Sequence, residues 1–379
     1  MNNVSVCPVE TARDLTRFID FAYDVYKDDP NAAPMLRRDA IELLDPKKNP
    51  WFEHARARFF LAKRDGKVVG RISAQVDQLV LKHMGAGTGQ WGSFELIDDA
   101  EVATALFDAA EGWLREQGMT RALGPFTLSI WDEPGMLIQG FDHPPTVMMG
   151  HHRDYYAKHV EARGYVKAKD LYTYELALAA PFPKVIQRVI KTGLGNKRLI
   201  VRDTIMSEYA KESKFILEIL NDAWSGNWGF TPLTSAESVY AGKKMRPVVY
   251  HDLVRVAELD GEPIAFMFTL PNLNEVTAKF KGRLFPFNFI PLLRAIWKPR
   301  PQSVRVPLMG VLKKYQGTRM ASLAAFMMIE NIRNTASTKY GAKRAEIGWI
   351  LEDNAPMRGI AEAIESRMNK IYRIYERAL

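Results

Sequence analysis

Hydrophobic and polar positions alternate with a period of two on either side of two Asp-Gly pairs, Asp65-Gly66 and Asp260-Gly261. An Asp-Gly pair between β-rich runs favours a tight two-residue turn, so each stretch predicts a β-hairpin. Downstream of each hairpin, apolar residues recur at helical spacing over 100–118 and 319–341, and each of these segments ends in a glycine that precedes a β-rich run. The pattern therefore predicts a long helix followed by a strand after each hairpin.

The order of predicted elements around the first hairpin recurs around the second, which indicates a duplicated unit. Each copy has the order strand, helix, hairpin, strand, helix, strand, helix, and the junction falls between residues 182 and 195. The sequence thus predicts an α/β fold with mixed sheets in two domains, 1–182 and 195–379. Insertions around 129–151 in the first copy and 279–305 in the second interrupt the match. Long ordered loops often carry function, so these two segments are of special interest.

Composition and charge restrict the class of protein. The chain has 379 residues, 47% hydrophobic and 25% charged, which suits a globular protein and excludes disorder. A single cysteine, Cys7, excludes internal disulfides and cysteine-based zinc sites, and no other spacing favours a metal, so none is predicted. The net charge of +8 favours anionic partners. No signal peptide or membrane-spanning stretch is visible, so we expect a cytoplasmic protein.

Three stretches carry a resemblance to a known family: LPNLNEVTAKFKGRLFP, WILEDNAPMRGIAEAI, and GFDHPP together with YYAKHVEARGYVKAKDLYTYEL. With the tandem order of elements, they resemble the bacterial ceramide synthase-type proteins of the GNAT N-acyltransferase superfamily, over nearly the whole chain. The resemblance implies transfer of a long-chain acyl group to the amine of a sphingoid base. The donor would be acyl-CoA or an acyl carrier protein, with acyl-CoA as co-substrate and no permanently bound cofactor.

The resemblance also implies a binding site for the pyrophosphate of acyl-CoA. The superfamily holds it at the N-terminus of the helix after the fourth strand, where N–H groups and the helix dipole attract anions. Its pattern is Arg or Gln, two residues, Gly, one residue, then Gly or Ala. The implied cofactor-binding residues are Gln316, Gly317, Thr318, Arg319 and Ala321 at this helix, together with Asn354 after the fifth strand. Arg319 replaces the central glycine, and an ordinary basic helix N-terminus is the alternative. The acidic stretch 95–100 of the first copy should repel pyrophosphate.

Amide formation from a thioester requires a neutral amine, a stabilised oxyanion and a proton for the departing thiolate. The resemblance implies a β-bulge in the fourth strand and separation of the fourth and fifth strands, but Ala361 stands where the superfamily often has a tyrosine acid. The catalytic candidates that remain are His152, Glu133, Tyr155 and Glu346. In an extended segment, only one of the adjacent His151 and His152 can face a cleft, and we expect it to be His152. The alternative is that these groups only pack the closing helix.

The insertion at 279–305 combines basic residues with Phe, Leu, Ile and Trp. Such a composition suits an anionic membrane surface or the mouth of a lipid pocket, so we expect peripheral contact with the inner membrane and an amphipathic amine as substrate. The alternative is that these residues cover the core.

Two other functions stay open. One is a non-catalytic protein that binds acyl-CoA or lipid. The other is an aminoacyl-transferring tandem GNAT enzyme, but no long coiled-coil insertion is visible, so no nucleic-acid partner is expected.

Overall fold

The computed structural model describes residues 4–379, which form two compact units. The first unit extends to Leu171 and also contains Val276–Phe289 and Lys370–Leu379, whereas the second contains Tyr172–Glu275 and Ile290–Asn369. These compact units divide the chain differently from the predicted domains, 1–182 and 195–379, since residues 172–182 lie in the second unit and residues 276–289 and 370–379 in the first. The last two segments form backbone hydrogen bonds within the first unit: Arg37 N donates to Gly282 O at 2.9 Å, and Tyr375 pairs with Gly124.

The first unit is built on a mixed sheet. Its elements are β1 (Ser5–Pro8), α1 (Ala12–Val25), α2 (Arg37–Leu43), β2 (Ala55–Arg64), β3 (Lys67–Asp77), α3 (Gln78–Met84), β4 (Thr88–Leu96), α4 (Ala100–Glu116), β5 (Arg121–Gly124), β6 (Met136–Gln139), α5 (Tyr156–Ala162) and the start of β7 (Val166–Ala177). Strands β1 to β4 pair antiparallel in chain order, and β4 pairs parallel with β5.

The second unit repeats this plan. After the end of β7 come α6 (Lys184–Leu194), β8 (Leu199–Asp203), α7 (Tyr209–Trp224), α8 (Ser235–Met245), β9 (Val254–Leu259), β10 (Glu262–Pro271), α9 (Asn274–Thr277), α10 (Phe289–Trp297), β11 (Ser303–Val311), α11 (Arg319–Thr338), β12 (Arg344–Leu351), α12 (Ala355–Ala363) and the start of β13 (Arg367–Ala378). Strands β8 to β11 pair antiparallel in order, and β11 pairs parallel with β12. No helix within residues 4–379 is long and apolar enough to cross a membrane.

Both predicted hairpins are confirmed. Asp65 and Gly66 have φ of 51° and 74°, and Asp260 and Gly261 have φ of 54° and 85°. Positive φ at both central residues is the geometry of the tight turn that Asp-Gly favours. The predicted long helices are α4 and α11, and the glycines that follow them, Gly118 and Gly341, adopt φ of 80° and 74°. These local signals were sufficient because each turn needs only its own two residues.

In both units, the fourth and fifth strands of the repeat pair only at their beginnings and then separate. In the first unit, β4 and β5 pair over Thr88–Gln90, and in the second, β11 and β12 pair over Ser303–Val306. A register slip in the fourth strand lies close to each point of separation, between Gly92 and Glu95 in β4, where Ser93 has φ of 45°, and between Arg305 and Leu308 in β11. At the neighbouring Gly92, a Cβ atom would lie 1.5 Å from the carbonyl oxygen of Phe126, so only glycine fits there. Each unit therefore has an opening beside its bulged strand.

Candidate functional site

A cavity of about 120 Å³ lies in the first unit beside the bulge of β4. Helices α1 and α2 give one wall apolar side chains, including Ile19, Leu43 and Leu44. The opposite wall is polar and comes from three separate parts of the chain, which are the end of α1, the β3–β4 pair and the insertion at 129–151. The lining side chains that can carry charge or exchange protons are Tyr23, Tyr26, Arg71, Glu95, Glu133, His151 and His152.

Glu95 anchors the polar wall. Its Oε2 accepts hydrogen bonds from the hydroxyls of Tyr26 and Tyr156, both at 2.6 Å, and its Oε1 lies 3.7 Å from Nη2 of Arg71. Burial raises the pKa of Glu95, while Arg71 and the two hydroxyls oppose that rise. Burial also holds the pKa of both tyrosines well above the usual range, so their protons stay on the phenols. This cluster is a rigid, satisfied frame rather than a proton-exchanging pair.

Glu133, predicted to be catalytic, lines the same cavity. Its backbone is in the left-handed region, with φ of 42°, a strained conformation for a side chain of this size. Its nearest hydrogen-bond donor is Thr127 Oγ1, at 3.4 Å. Burial, followed by the negative charges of Asp132 and Glu95, raises the pKa of Glu133 to about 7. A carboxyl group with this pKa can gain or lose a proton at neutral pH.

The two adjacent histidines both line the cavity, contrary to the expectation that only one can enter it. The expectation assumed an extended segment, but residues 149–152 have no regular structure and follow Met148, whose φ is 62°. Leu137 N donates to Nδ1 of His152 at 3.1 Å, so the proton of that ring lies on Nε2. Burial lowers the pKa of His152 to about 3, which keeps it neutral. In this tautomer the free ring nitrogen of His152 is a hydrogen-bond donor, whereas the predicted base would need a free lone pair.

His151 has the opposite polarity. Its Nε2 lies 3.0 Å from Oδ2 of Asp29, a carboxylate that can only accept, so Nε2 carries the proton. Nδ1 then has a lone pair, and this buried atom has no hydrogen-bond partner. The sequence does not single out His151 as a candidate, because Asp29 is distant in the chain and nothing in the local sequence shows that the two side chains meet.

Tyr155 and Glu346 do not line this cavity. The hydroxyl of Tyr155 donates to Leu96 O at 2.8 Å, and burial raises its pKa to about 12. Tyr155 thus fastens the closing helix to the end of β4. Glu346 lies in the second unit, where it is buried and accepts from Asn369 Nδ2 at 2.9 Å. The structure therefore brings together Glu133 and His152, but not Tyr155 or Glu346.

A second cavity, of about 60 Å³, opens in the second unit where β11 and β12 separate. Its lining is mainly apolar, from Met267, Val306 and Pro307 on one side and the residues of 347–364 on the other. Asn354 lines it and caps α12 by accepting from Met357 N at 3.2 Å. Ala361, at the position of the missing tyrosine, also lines it. The cavity can hold an apolar or neutral chain, but it offers few groups for proton transfer.

The predicted pyrophosphate residues surround the N-terminus of α11 in the same unit. Gln316 Nε2 donates to the carbonyl oxygen of Val311 at 2.9 Å, Gly317 has φ of 74°, and Thr318 Oγ1 accepts from Ala321 N at 3.3 Å. These contacts shape the turn and cap the helix. Arg319 is the first helical residue and is exposed, and the first turn has no acidic residue.

The equivalent helix of the first unit has a different N-terminus. Asp99 caps α4 by accepting from the N–H groups of Glu101 and Val102, at 2.9 and 3.3 Å. Arg64 forms ion pairs with the carboxylates of Asp99 and Glu101, at 2.7 and 2.9 Å, and its hydrogen bond to Asp99 lowers the pKa of that carboxyl. An incoming pyrophosphate would therefore meet two carboxylates, and the donors it needs are already engaged. Within the described residues, no group of three potential ligands could hold a metal ion.

Comparison with known proteins places this chain among acyltransferases. It is 43% identical over 378 residues to the bacterial ceramide synthase of Caulobacter vibrioides (strain NA1000 / CB15N), which covers 100% of this chain and 98% of the relative. It is 39% identical over 372 residues to protein YghO of Escherichia coli (strain K12), with coverage of 97% and 93%. No protein-family model matches the chain.

Solved structures share its architecture. A tandem GNAT protein from the clavulanic acid biosynthesis pathway matches with a TM-score of 0.56 and 14% identity, covering 99% of this chain and 98% of that one. At this identity the match concerns the fold alone. It confirms the prediction of two tandem GNAT-like domains of mixed α/β structure.

Proposed function

Because the chain belongs to the family of bacterial ceramide synthases and is a GNAT-type acyltransferase, we propose that it transfers a long-chain acyl group to the amine of a sphingoid base. The observation that carries this proposal is the 43% identity to a ceramide synthase over the whole length of both proteins. The proposed donor is acyl-CoA, and an acyl carrier protein is the alternative donor for the assay to test.

The second unit supplies the features that suit the donor. The apolar cavity between β11 and β12 can accept the uncharged part of an acyl thioester, and Asn227 and Asn354 contribute amide groups to its lining. The N-terminus of α11, with Gly317, Thr318 and Arg319, offers N–H groups and positive charge to the pyrophosphate. The equivalent N-terminus in the first unit is occupied by acidic side chains, which supports this choice of helix.

The first unit supplies groups that suit the reacting amine. A sphingoid base is mainly an ammonium ion at neutral pH and must lose a proton before its nitrogen can attack a thioester. Glu133 can balance the charge of that ammonium, and Nε2–H of His152 can donate to an oxygen of the substrate. We propose these two as the catalytic residues of the cavity. We propose that Tyr155 and Glu346 hold neighbouring parts of the structure in place and do not contact the reacting groups, since each forms a hydrogen bond with a neighbouring residue.

We also propose that the protein contacts an anionic membrane through α10. Ile290, Leu293 and Trp297 repeat at helical spacing and are all exposed. Arg294 on this helix and Lys298 directly after it are also exposed. One residue of the predicted basic group is not at the surface: Arg305 is buried in β11, where its Nη2 donates to Gly348 O at 3.2 Å. The sphingoid tail would be drawn from the bilayer.

Charge reversal at α11 tests the donor site. The double variant Lys313→Glu, Arg319→Glu should weaken binding of acyl-CoA at least tenfold in calorimetry, since both positions are exposed and the substitutions leave the cap of Thr318 intact. Lys214→Glu, on the exposed face of α7, is the matched control and should leave the affinity unchanged. Amide formation is measured in parallel by mass spectrometry. Unchanged affinity in the double variant would move the donor to another site.

A further inference from the structure

We propose that the cavity of the first unit binds the ammonium group of the acceptor, and that Nδ1 of His151, held by Asp29, is the atom that takes its proton. The inference rests on the proposed acylation of an amine. It adds a proton acceptor that the sequence did not select, and it separates the roles of two adjacent histidines.

The hydrogen bonds of the two rings fix these roles. His152 receives a backbone N–H at Nδ1 and so presents a donor, whereas His151 gives its Nε2 proton to Asp29 and so presents an acceptor. The His151 side chain is only 6% exposed, and Nδ1 has no partner in the protein. A buried nitrogen lone pair without a donor is costly to maintain, which favours a substrate N–H as its partner.

Asp29 makes His151 a competent base. After His151 accepts a proton, the imidazolium lies 3.0 Å from the Asp29 carboxylate, which stabilises the new charge. Two other cations face the ring, Arg153, whose Nη1 lies 3.5 Å from Asp29, and Lys370. The ring of Tyr26 packs beside His151 at a centroid distance of 5.8 Å, and His152 follows in sequence. Burial, the largest effect, lowers the pKa of His151, so it is unprotonated and ready at neutral pH.

The cavity suits a cation for a second reason. Glu95 and Glu133 contribute two carboxyl groups to its wall, while Arg71 is the guanidinium in its lining. An ammonium ion beside Glu133 supplies the opposite charge that this carboxyl lacks, so it should hold Glu133 in the ionised form. Glu133 then binds the cation, and His151 deprotonates it.

The proton step balances without a further reactant. One N–H bond of the ammonium breaks, its electron pair stays on nitrogen, and an N–H bond forms at Nδ1 of His151. The products are a neutral amine, the nucleophile that amide formation requires, and an imidazolium paired with Asp29. The proton then passes to solvent, which returns His151 to its neutral form.

Steady-state kinetics of the full-length protein with sphinganine and palmitoyl-CoA test this assignment. We expect His151→Ala to lower kcat by about 10²–10⁴, the usual contribution of a general base, with little change in KM for the amine. Asp29→Asn keeps the volume of the side chain and the turn around it, but an amide can donate as well as accept, so it no longer forces the proton of His151 onto Nε2. It should therefore lower kcat at least tenfold. Glu133→Gln should instead act mainly on KM, because it removes the charge that holds the ammonium.

The pH profile separates a base from a structural residue. In His151→Ala only amine that is already deprotonated can react, so kcat/KM should rise about tenfold per pH unit toward the pKa of the amine, whereas the wild type should level off at neutral pH. His143→Ala is the matched control. Its ring also pairs with an aspartate, Nδ1 to Asp142 Oδ1 at 3.0 Å, but it is exposed and outside the cavity, so it should behave as wild type.

The outcomes distinguish the inference from the function on which it rests. Wild-type protein that makes no amide from any long-chain amine, with acyl-CoA or acyl carrier protein, would overturn the proposed function and the inference with it. Wild-type protein that makes the amide while His151→Ala and Asp29→Asn stay within threefold of its kcat, with a parallel pH profile, would overturn the inference alone. Thermal unfolding and acyl-CoA affinity are measured for each variant. If His151→Ala unfolds, the Asp29→Asn result and its pH profile decide.

Discussion

Trp297 gives the sharpest test of membrane contact, because replacing it should change binding to lipid far more than it changes folding. Its side chain is 75% exposed at the end of α10. The other side of the helix is held by Tyr250, whose hydroxyl donates to Ile296 O. Trp297→Ser therefore removes mainly surface that faces water, and little that supports the fold.

The expected magnitude follows from the exposed area. A large aromatic side chain presents on the order of 200 Å², so about 150 Å² of Trp297 is open, and immersing half of it is worth about 2 kcal/mol at about 25 cal/mol per Å². That energy corresponds to a loss of about 30-fold in the partition coefficient. The buried remainder, about 50 Å², limits the loss of folding stability to about 1 kcal/mol. Neutralising Arg294 or Lys298 should cost about 1 kcal/mol each on anionic membranes.

Co-sedimentation with vesicles of phosphatidylglycerol, and with neutral vesicles of phosphatidylcholine, measures these terms separately. Trp297→Ser should weaken binding to both, whereas Arg294→Gln and Lys298→Gln should weaken binding to anionic vesicles only, and less so at high salt. Val239→Ser, which removes exposed apolar surface from helix α8, where Val239 is 57% exposed, is the control and should leave binding to both kinds of vesicle unchanged. The apparent KM for long-chain amines should rise in Trp297→Ser, with short-chain turnover unchanged. Unchanged partitioning, or equal loss of long and short substrates, would refute the reasoning.

Three further substitutions test the first unit. Because Glu133 titrates at about 7 when folded against 4.5 for a free glutamate, the folded state holds the extra proton between these values and stability falls as pH rises through them. Glu133→Gln should thus stabilise the protein by about 1–3 kcal/mol at pH 8 and not at pH 4.5, and equal shifts in calorimetry at both pH values would contradict this. Gly92→Ala should cost at least about 2 kcal/mol in urea unfolding, since the backbone of Phe126 blocks the added carbon, and a neutral result would contradict the bulge geometry. Gly112→Ala, in α4 with nothing within 4 Å of the new atom, should stabilise by about 0.8 kcal/mol, and a loss of stability would show hidden crowding.

The sequence was most informative where structure is decided locally. The Asp-Gly turns, the glycines after α4 and α11, and the repeated order of elements each depend on a few neighbouring residues, and the structure confirms them. The resemblance added the bulge and the separation of strands, which no local pattern shows. Boundaries of the compact units were less accessible, because β7 and β13 each contribute residues to both units.

The candidate site was only partly visible in the sequence because its side chains come from distant segments. The polar insertion of the first copy drew attention to Glu133 and His152, and the structure places both in the lining of one cavity. Their roles depend on partners elsewhere: Leu137 N fixes the tautomer of His152, and Asp29 fixes that of His151. Arg305 shows the same limit, since a charge pattern cannot tell that one arginine of a basic run enters a buried strand.

The two copies have diverged in a way that the physical chemistry of their sites makes intelligible. Both keep the bulged fourth strand and the opening beside it. In the first unit, the insertion fills this opening with Glu133, His151 and His152, groups whose pKa values burial shifts away from their usual range and whose charged forms it therefore disfavours. In the second unit, the opening is mainly apolar and the following helix lacks acidic residues in its first turn. Titratable groups that cost folding energy persist where they perform proton transfer, and an apolar channel with an anion-attracting helix suits a thioester. This contrast supports the proposal that the first copy serves the amine and the second the acyl donor.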